Sequence, residues 1–272
     1  MHYENRQPPE GINVVAHGWK KDFILLVVGF FASVALLCWL LLLTMAWVAK
    51  WTPFSWEHKL AHTWFTPQQD ERTLYLKNLA EALGQAGGLS PEVTVTVHYS
   101  PGTATNAFAT LGGNILVLEG LLKNLTSEQG LAFVLAHEIA HVHHRDPVRA
   151  VVRGLSLSVV SGLIFGKTDL ANLAGMGGNL VLLDYSRQQE MEADIWALRA
   201  VQRHYGHVAG ADELFLALLQ QTPEDWEVPE WLASHPELRN RIRYLGELAR
   251  ENGFLTEGER APLPEFLTRE DL

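Results

Sequence analysis

Between Asp22 and Lys50 the chain runs for 27 residues, Phe23 to Ala49, without a charge. A core helix of a globular domain does not keep that composition for so long, whereas a helix crossing the hydrocarbon of a bilayer needs about 20 apolar residues. A cleavable leader fits poorly, because its apolar core is ~7–15 residues long and ends at a small-x-small site. Trp39, Trp47 and Trp51 occur here instead, the last two placed for an interfacial belt. The run is expected to be one transmembrane anchor over 20–50, preceded by a loose tail (1–19, with Pro8-Pro9 and Gly11) and followed by a linker (51–66). Arg6, Lys20 and Lys21 precede the span and Lys50 and Lys59 follow it, which predicts a cytoplasmic N-terminus and an extracytoplasmic remainder. The only cysteine, Cys38, lies in the span, so the monomer has no disulfide. With 31 acidic residues against 21 basic ones and no nucleic-acid motif, the chain is not expected to bind nucleic acid.

The second constraint is a short motif, His137-Glu138-Ile139-Ala140-His141. A helix advances about 100° per residue, so residues four apart return to one face a turn along. His137 and His141 can then aim two imidazole nitrogens at one metal ion. Glu138, one step round, can reach a water on that metal without being a ligand. The pattern is that of a zinc hydrolase: two ligands, a base, and a position left open. The same letters also arise on ordinary solvated helices. The flanks argue against that here, since Leu131, Val134, Leu135 and Ile139 mark a buried helix. Two histidines and a carboxylate in such a helix cost several kcal/mol unless paired or metal-bound. Thr126 and Gln129 read as a capping box at its start, with Glu128 in the first turn to complement the dipole.

The third ligand decides the class. The long metzincin pattern requires Gly at 144 and His at 147, where this chain has His144 and Pro147, so that class is excluded. His144 shares the stripe of the motif but lies roughly 10 Å along the axis from His137, which suits a surface histidine. His143 faces nearly the opposite side. A second helical segment, Tyr185 to Leu198, offers a better donor. Glu190 and Asp194 lie one turn apart on a shared face, so Glu190 can be the third ligand while Asp194 accepts a hydrogen bond from a liganding histidine. Glu192, rotated about 200° from Glu190, cannot share the role. Taken alone, this segment reads better as an acidic helix start balanced by Arg187; the upstream motif favours the ligand.

H-E-I-A-H followed by S-R-Q-Q-E-M-E-A-D resembles the M48 family of zinc metallopeptidases. Thr105 to Ala109, then Gly112 to Leu122, looks like the family's segment before the zinc helix. Ser234-His235-Pro236 with Arg241-Ile242 looks like its C-terminal signature, and the similarity runs over 66–248 in the family's order. The resemblance implies an α+β, mainly helical, gluzincin-type peptidase domain with a small β-sheet beside the zinc helix. It implies one Zn2+ per chain on His137, His141 and Glu190, with Glu138 as general base acting on protein or peptide substrates. It further implies quality control of membrane or envelope proteins by a single-pass protein of a bacterial inner membrane. For His235 the resemblance implies either a regulatory fourth ligand or a catalytic donor to the oxyanion. Without the family, His235 reads equally as a histidine packed beside Trp231 and Pro236. Arg187 and Arg241 are expected to bridge helices rather than to touch substrate.

Elsewhere, periodicity decides. Gln68 to Gly84 reads as an amphipathic helix, with Leu74, Leu76, Leu79 and Leu83 on or near its buried side, and Glu92 to Tyr99 alternates as a strand does. Ala107 to Leu118 reads as further strand around a Gly112-Gly113 turn. An edge strand there, with Asn106, Ala107 and Phe108, would bind an extended peptide by strand addition, its main-chain hydrogen bonds tolerating many sequences. Helices are expected over Glu190–Tyr205, Ala211–Leu219 and Glu237–Glu251, closing a domain at 67–251, and a disordered tail over 252–272. Residues 154–183 are apolar and glycine-rich but broken by Lys167-Thr168-Asp169. Each half is too short to span, so a mobile lid or a hairpin resting on the membrane is expected. Two other readings stand: a chaperone or regulatory scaffold with a masked or structural zinc, and a lipopeptide-processing protease inside the bilayer, which requires 154–183 to span.

Overall fold

The computed structural model describes residues 18–51, 53–61, 65, 68–154, 185–221, 235 and 238–269. The uncharged run forms α1 (Trp19–Trp51), whose Trp19–Leu40 stretch has a mean hydropathy of 2.7 and no buried share. Among the described residues it is the one helix long and apolar enough to cross a membrane. The expected linker is itself structured. After Pro53, α2 (Phe54–Ala61) buries Phe54, Glu57 and Ala61.

Helix α3 (Glu71–Gly87) starts where the Asp70 carboxylate accepts the Thr73 N–H at 3.0 Å, and it stops at Gly88, whose φ of 83° closes the last turn. These caps move the helix three residues later than its apolar period predicts. Leu76, Leu79 and Leu83 face the core, while Leu74 points outward. The sheet that follows is small. Strand β1 (Thr96–Ser100) pairs in parallel with β3 (Asn114–Leu118), and β2 (Ala107–Ala109) pairs antiparallel with β3, giving the order β1-β3-β2. Alternation suggests a strand from Glu92, but β3 offers no partner before Asn114, which pairs with Thr96. Between β2 and β3, Gly112 (φ 73°) and Gly113 (φ 76°) make the predicted turn. A Cβ at Gly113 would meet the Thr94 carbonyl oxygen at 2.0 Å, so glycine is required by space as well as by angle.

After the short α4 (Glu119–Leu122) comes α5 (Glu128–His144), which carries the motif and is buried from Gln129 to Val142. Its cap is Ser127, not Thr126: the Ser127 hydroxyl accepts the Gly130 N–H at 3.1 Å. The Glu213 carboxylate accounts for the shift. It accepts the Thr126 hydroxyl (2.8 Å) and the Ser127 N–H (3.1 Å) and also binds the Thr126 N–H and the Ser127 hydroxyl. Gln129 turns away to accept the Ala261 N–H at 3.0 Å. The Glu128 carboxylate accepts the hydroxyls of Tyr205 (2.8 Å) and Tyr75.

α6 (Arg187–Tyr205) opens with a full capping box, Ser186 with Gln189, and packs along α5, with α3 against both. α7 (Glu213–Gln221) supplies Glu213, and α8 (Leu238–Glu251) lies against α6. The predicted disorder beyond Asn252 is a correction. Described to Arg269, the chain returns as a strap whose Ala261 carbonyl accepts the Glu128 N–H at 2.9 Å and whose Leu263 N–H donates to the Thr126 carbonyl at 2.9 Å. It ends in α9 (Glu265–Thr268) with Leu267 fully buried. The expected lid over 154–183 falls, after Gly154, outside the described residues.

Candidate metal centre and active site

Helices α5 and α6 pack so that the turn carrying His137 and His141 faces the first two turns of α6, which carry Glu190 and Asp194. The Nε2 atoms of His137 and His141 are 3.1 Å apart, and each is 3.5 Å from a Glu190 carboxylate oxygen. His235 enters from the segment before α8. Its Nδ1 lies 2.9 Å from both Glu190 oxygens and 3.3 Å from His137 Nε2. All four side chains are buried, and one donor atom from each falls within 4.8 Å of the others.

This donor set fits zinc. Four ligands about 2.0–2.1 Å from a tetrahedral centre lie about 3.3–3.4 Å from one another, close to the observed separations of 2.9–3.5 Å. The tautomers fit as well. His137 Nδ1 donates to Asp194 Oδ1 at 3.0 Å and His141 Nδ1 to Asp146 Oδ2 at 2.9 Å, so both Nε2 lone pairs converge on one point. Two imidazole lone pairs converging beside a carboxylate in a buried pocket make a site suited to a cation.

The electrostatics agree. Burial alone would lower the pKa of His137, but hydrogen bonds to Asp194 and Glu190 outweigh it and raise the pKa. For His141 burial is likewise overcome by Asp146 and Glu190, and the pKa rises to about 9. Burial dominates at His235 and lowers it despite Glu190. Glu190 is held well below the ordinary range: burial opposes this, and His235, His137 and His141 outweigh burial. A pocket that favours positive charge on buried imidazoles is one suited to a dication.

Glu138 stands apart from the donors. One carboxylate oxygen, Oε2, accepts the Ala109 N–H from β2 at 2.8 Å. The other, Oε1, is buried without a hydrogen-bond partner among the described residues, 3.5 Å from His235 Nε2. The expected bridging role falls to Arg241, which binds Asp194 (2.6 and 2.8 Å) and Glu190 (2.8 Å) and so ties α8 to α6 beneath the histidines. His144 lies outside the cluster, edge-on to His143, which itself rests near Trp196.

Three site residues have no role in the sequence reading. Asp146 orients His141, and it reaches that nitrogen because Arg145 adopts φ 63° and turns the chain back. Gln189, besides capping α6, donates from Nε2 to Asp146 Oδ1 at 2.6 Å. Tyr185 stacks on His141 at 4.0 Å between ring centroids, its hydroxyl buried without a partner among the described residues. Burial pushes the Tyr185 pKa up, so that hydroxyl stays a donor. Only Tyr185 carries a sequence signal, as the aromatic residue at the head of the second motif.

Residues 70–249 match the model of Peptidase family M48. The mitochondrial metalloendopeptidase OMA1 of Schizosaccharomyces pombe is 27% identical over 186 residues, covering 66% of this chain and 54% of its own length. The metalloendopeptidase OMA1 of Danio rerio is 30% identical over 67% of this chain and 42% of its own. The beta-barrel assembly-enhancing protease of Escherichia coli strain K12 is 33% identical over 50% of this chain and 31% of its own. The chain thus spans about half, or less, of the length of these relatives.

Proposed function

The chain belongs to peptidase family M48, and on that premise we propose that it is a membrane-anchored, zinc-dependent endopeptidase. Zinc would be held by His137, His141 and Glu190; when bound it supplies acidity to water and polarises a carbonyl. The observation that carries the proposal is the position of Glu138, a buried carboxylate with one oxygen fixed on the edge strand and the other, without a hydrogen-bond partner among the described residues, beside the donor cluster. From Oε1 that carboxylate would take a proton from the attacking water and deliver it to the departing amine nitrogen.

Strand β2 is an edge of the sheet, with β3 on one side only. Phe108 sits opposite Leu116, and the flanking Asn106 carbonyl and Thr110 N–H also bond to β3, so the main-chain groups of Ala107 and Ala109 point away from β3, the Ala109 N–H onto Glu138. A peptide lying along them as an added strand would pass Glu138. Asn106 supports this reading: its side-chain amide is buried, and neither polar atom has a partner among the described residues.

The names of the relatives favour quality control of membrane or envelope proteins. The charge asymmetry around α1 favours an extracytoplasmic catalytic domain, tested by a reporter fused after Leu272.

Glu138→Gln tests the activity. The variant should retain one zinc per chain by elemental analysis and lose casein cleavage by at least about 100-fold. Equal cleavage by both proteins would exclude the proposal. One observation favours a second reading, a scaffold with a masked zinc: His235 adds a fourth donor, and closed four-ligand sites are structural. His235→Ala separates them. Cleavage that appears only in this variant marks a masked enzyme, and cleavage in neither protein marks a scaffold.

A further inference from the structure

Helix α2 belongs to the catalytic domain on one face and has no described partner on the other. Inward, Phe54, Glu57 and Ala61 are buried. The Glu57 carboxylate pairs with the Arg145 guanidinium, and that guanidinium lies 5.9 Å from the Phe54 ring centroid. His58 Nδ1 is 3.2 Å from the Gly112 carbonyl oxygen. The contact with the β2–β3 turn is close enough that a Cβ on Gly112 would lie 3.0 Å from Ala61 Cβ, the Glu57 carbonyl oxygen and the His58 Cα. Outward, Trp56 and Leu60 sit four residues apart, 63% and 67% exposed, with exposed Lys59 beside them.

What covers this face follows from its neighbours in the chain. Helix α1 ends at Trp51 and α2 begins at Phe54, so two residues separate the two helices and four separate Trp51 from Trp56. Trp47 and Trp51 are exposed at that end of α1. Tryptophan favours the headgroup zone, and lysine beside it keeps its charge in water while its stem lies on apolar surface. A short helix with an aromatic and an aliphatic residue outward, one step from a transmembrane span, is suited to lie in the interface.

We propose that the Trp56–Leu60 face of α2 lies in the interfacial zone of the lipid bilayer, making α2 a strut that holds the metal centre at a short fixed height, so that the substrates are chain segments emerging from the same membrane. This deepens the reading above and rests on α1 being an anchor. The height follows from the packing. A helix with its side chains is about 10–12 Å across, and the Gly112 turn sits on it. Ala109, which holds Glu138, lies three residues further, at most about 10 Å at ~3.3 Å per residue. Glu138 is therefore within roughly 20–25 Å of the lipid, a distance an extended chain covers in about seven residues. The strut also reaches the metal centre itself: Arg145, its partner, immediately precedes Asp146, which holds His141.

The test uses the full chain in phosphatidylcholine–phosphatidylglycerol vesicles carrying spin-labelled lipids. Cys38 is the only cysteine. A fluorophore on it reports the anchor, and fluorophores on Trp56→Cys, Leu60→Cys and Lys77→Cys in a Cys38→Ser background report the strut and a solvent control. The labels at 56 and 60 should be quenched by spin labels near the headgroup, the label at 38 by labels at mid-chain, and the label at 77 by neither. Quenching at 38 with 56 and 60 behaving like 77 overturns the strut and leaves the anchor standing; no quenching at 38 overturns both. For the substrate class, Trp56→Ser/Leu60→Ser should cleave casein as the wild type does. It should cleave a vesicle-tethered peptide, its scissile bond about seven residues from the lipid anchor, on the order of 10-fold more slowly. Equal cleavage of the tethered peptide by the two proteins overturns that part, while failure of both on casein, with His235→Ala inactive as well, overturns the peptidase reading beneath it.

Discussion

The two ends of α5 are built by opposite rules. At the N-terminal end every group has what it needs: Ser127 caps, Glu213 gathers the Thr126 and Ser127 donors, Glu128 holds two tyrosine hydroxyls, and the C-terminal strap pairs with the backbone. At the C-terminal end local rules are broken. His137, Glu138 and His141 are fully buried, imidazole lone pairs face one another, and Arg145 sits at φ 63°, where a side chain is disfavoured. The hydrogen bonds of the satisfied end offset part of what the other end costs. Conflict of this kind is expected where a site does chemistry.

The largest break in this comparison should come from Asp194→Asn. It weakens the orientation of His137 and leaves Arg241 with one carboxylate partner fewer at a fully buried position. Loss of a buried ionic partner costs on the order of 3 kcal/mol, so chemical denaturation should show a marked drop even without metal. Asp146→Asn is the sharper instrument. Its other partners are the neutral Gln189 and the half-exposed Arg149, so stability should change little while zinc affinity falls by about 10–100-fold in chelator competition. If Asp146→Asn destabilised the metal-free protein as much as Asp194→Asn, Asp146 would support the fold as well as orient His141.

These two aspartates also mark how far the sequence could be read. His137, Glu138 and His141 on one helix, and Glu190 with Asp194 on another, obey helical spacing, and spacing survives folding. Asp146 does not follow from spacing: five residues beyond His141 on a continuing helix it would point about 140° away. It returns only because Arg145 is left-handed, and nothing in the identity of an arginine announces that. The strap is hidden from the sequence for a related reason. Its glycines and prolines describe a segment without a core of its own, whereas its order comes from pairing with Thr126 and Glu128. α2 hid inside a supposed linker because it is short and its anchoring pair, Glu57 with Arg145, joins positions far apart in the chain. The tertiary context moved boundaries, while the helices bearing His137, Glu138, His141, Glu190 and Asp194 lie where periodicity puts them.

At the other end of α5, Ser127→Ala removes the acceptor for the Gly130 N–H and should cost about 1 kcal/mol. The urea midpoint should fall, while zinc content and cleavage per folded molecule stay at wild-type values. A loss of activity matching that of Asp146→Asn would mean that the N-terminal cap tunes the site rather than only supporting the helix.

The smallest effect separates charge from hydrogen bonding at that cap. Burial would raise the pKa of Glu213, but hydrogen bonds from Ser127 and Thr126 outweigh it and hold it below its ordinary value of 4.5. A carboxyl group with a lower pKa in the folded than in the unfolded chain binds fewer protons when folded, so stability rises with pH through that interval. The contribution of Glu213 is complete above its unfolded pKa and is lost as pH falls through its folded one. In Glu213→Gln the stability deficit relative to wild type should therefore be greatest near neutrality and shrink towards about pH 3, as urea midpoints at a series of pH values would show. A deficit that stayed constant down the acid limb would assign the clamp to shape and neutral hydrogen bonds. The satisfied end of α5 would then owe nothing to charge, and the contrast with its other end, where carboxylates hold the Nδ1 atoms of His137 and His141, would be sharper still.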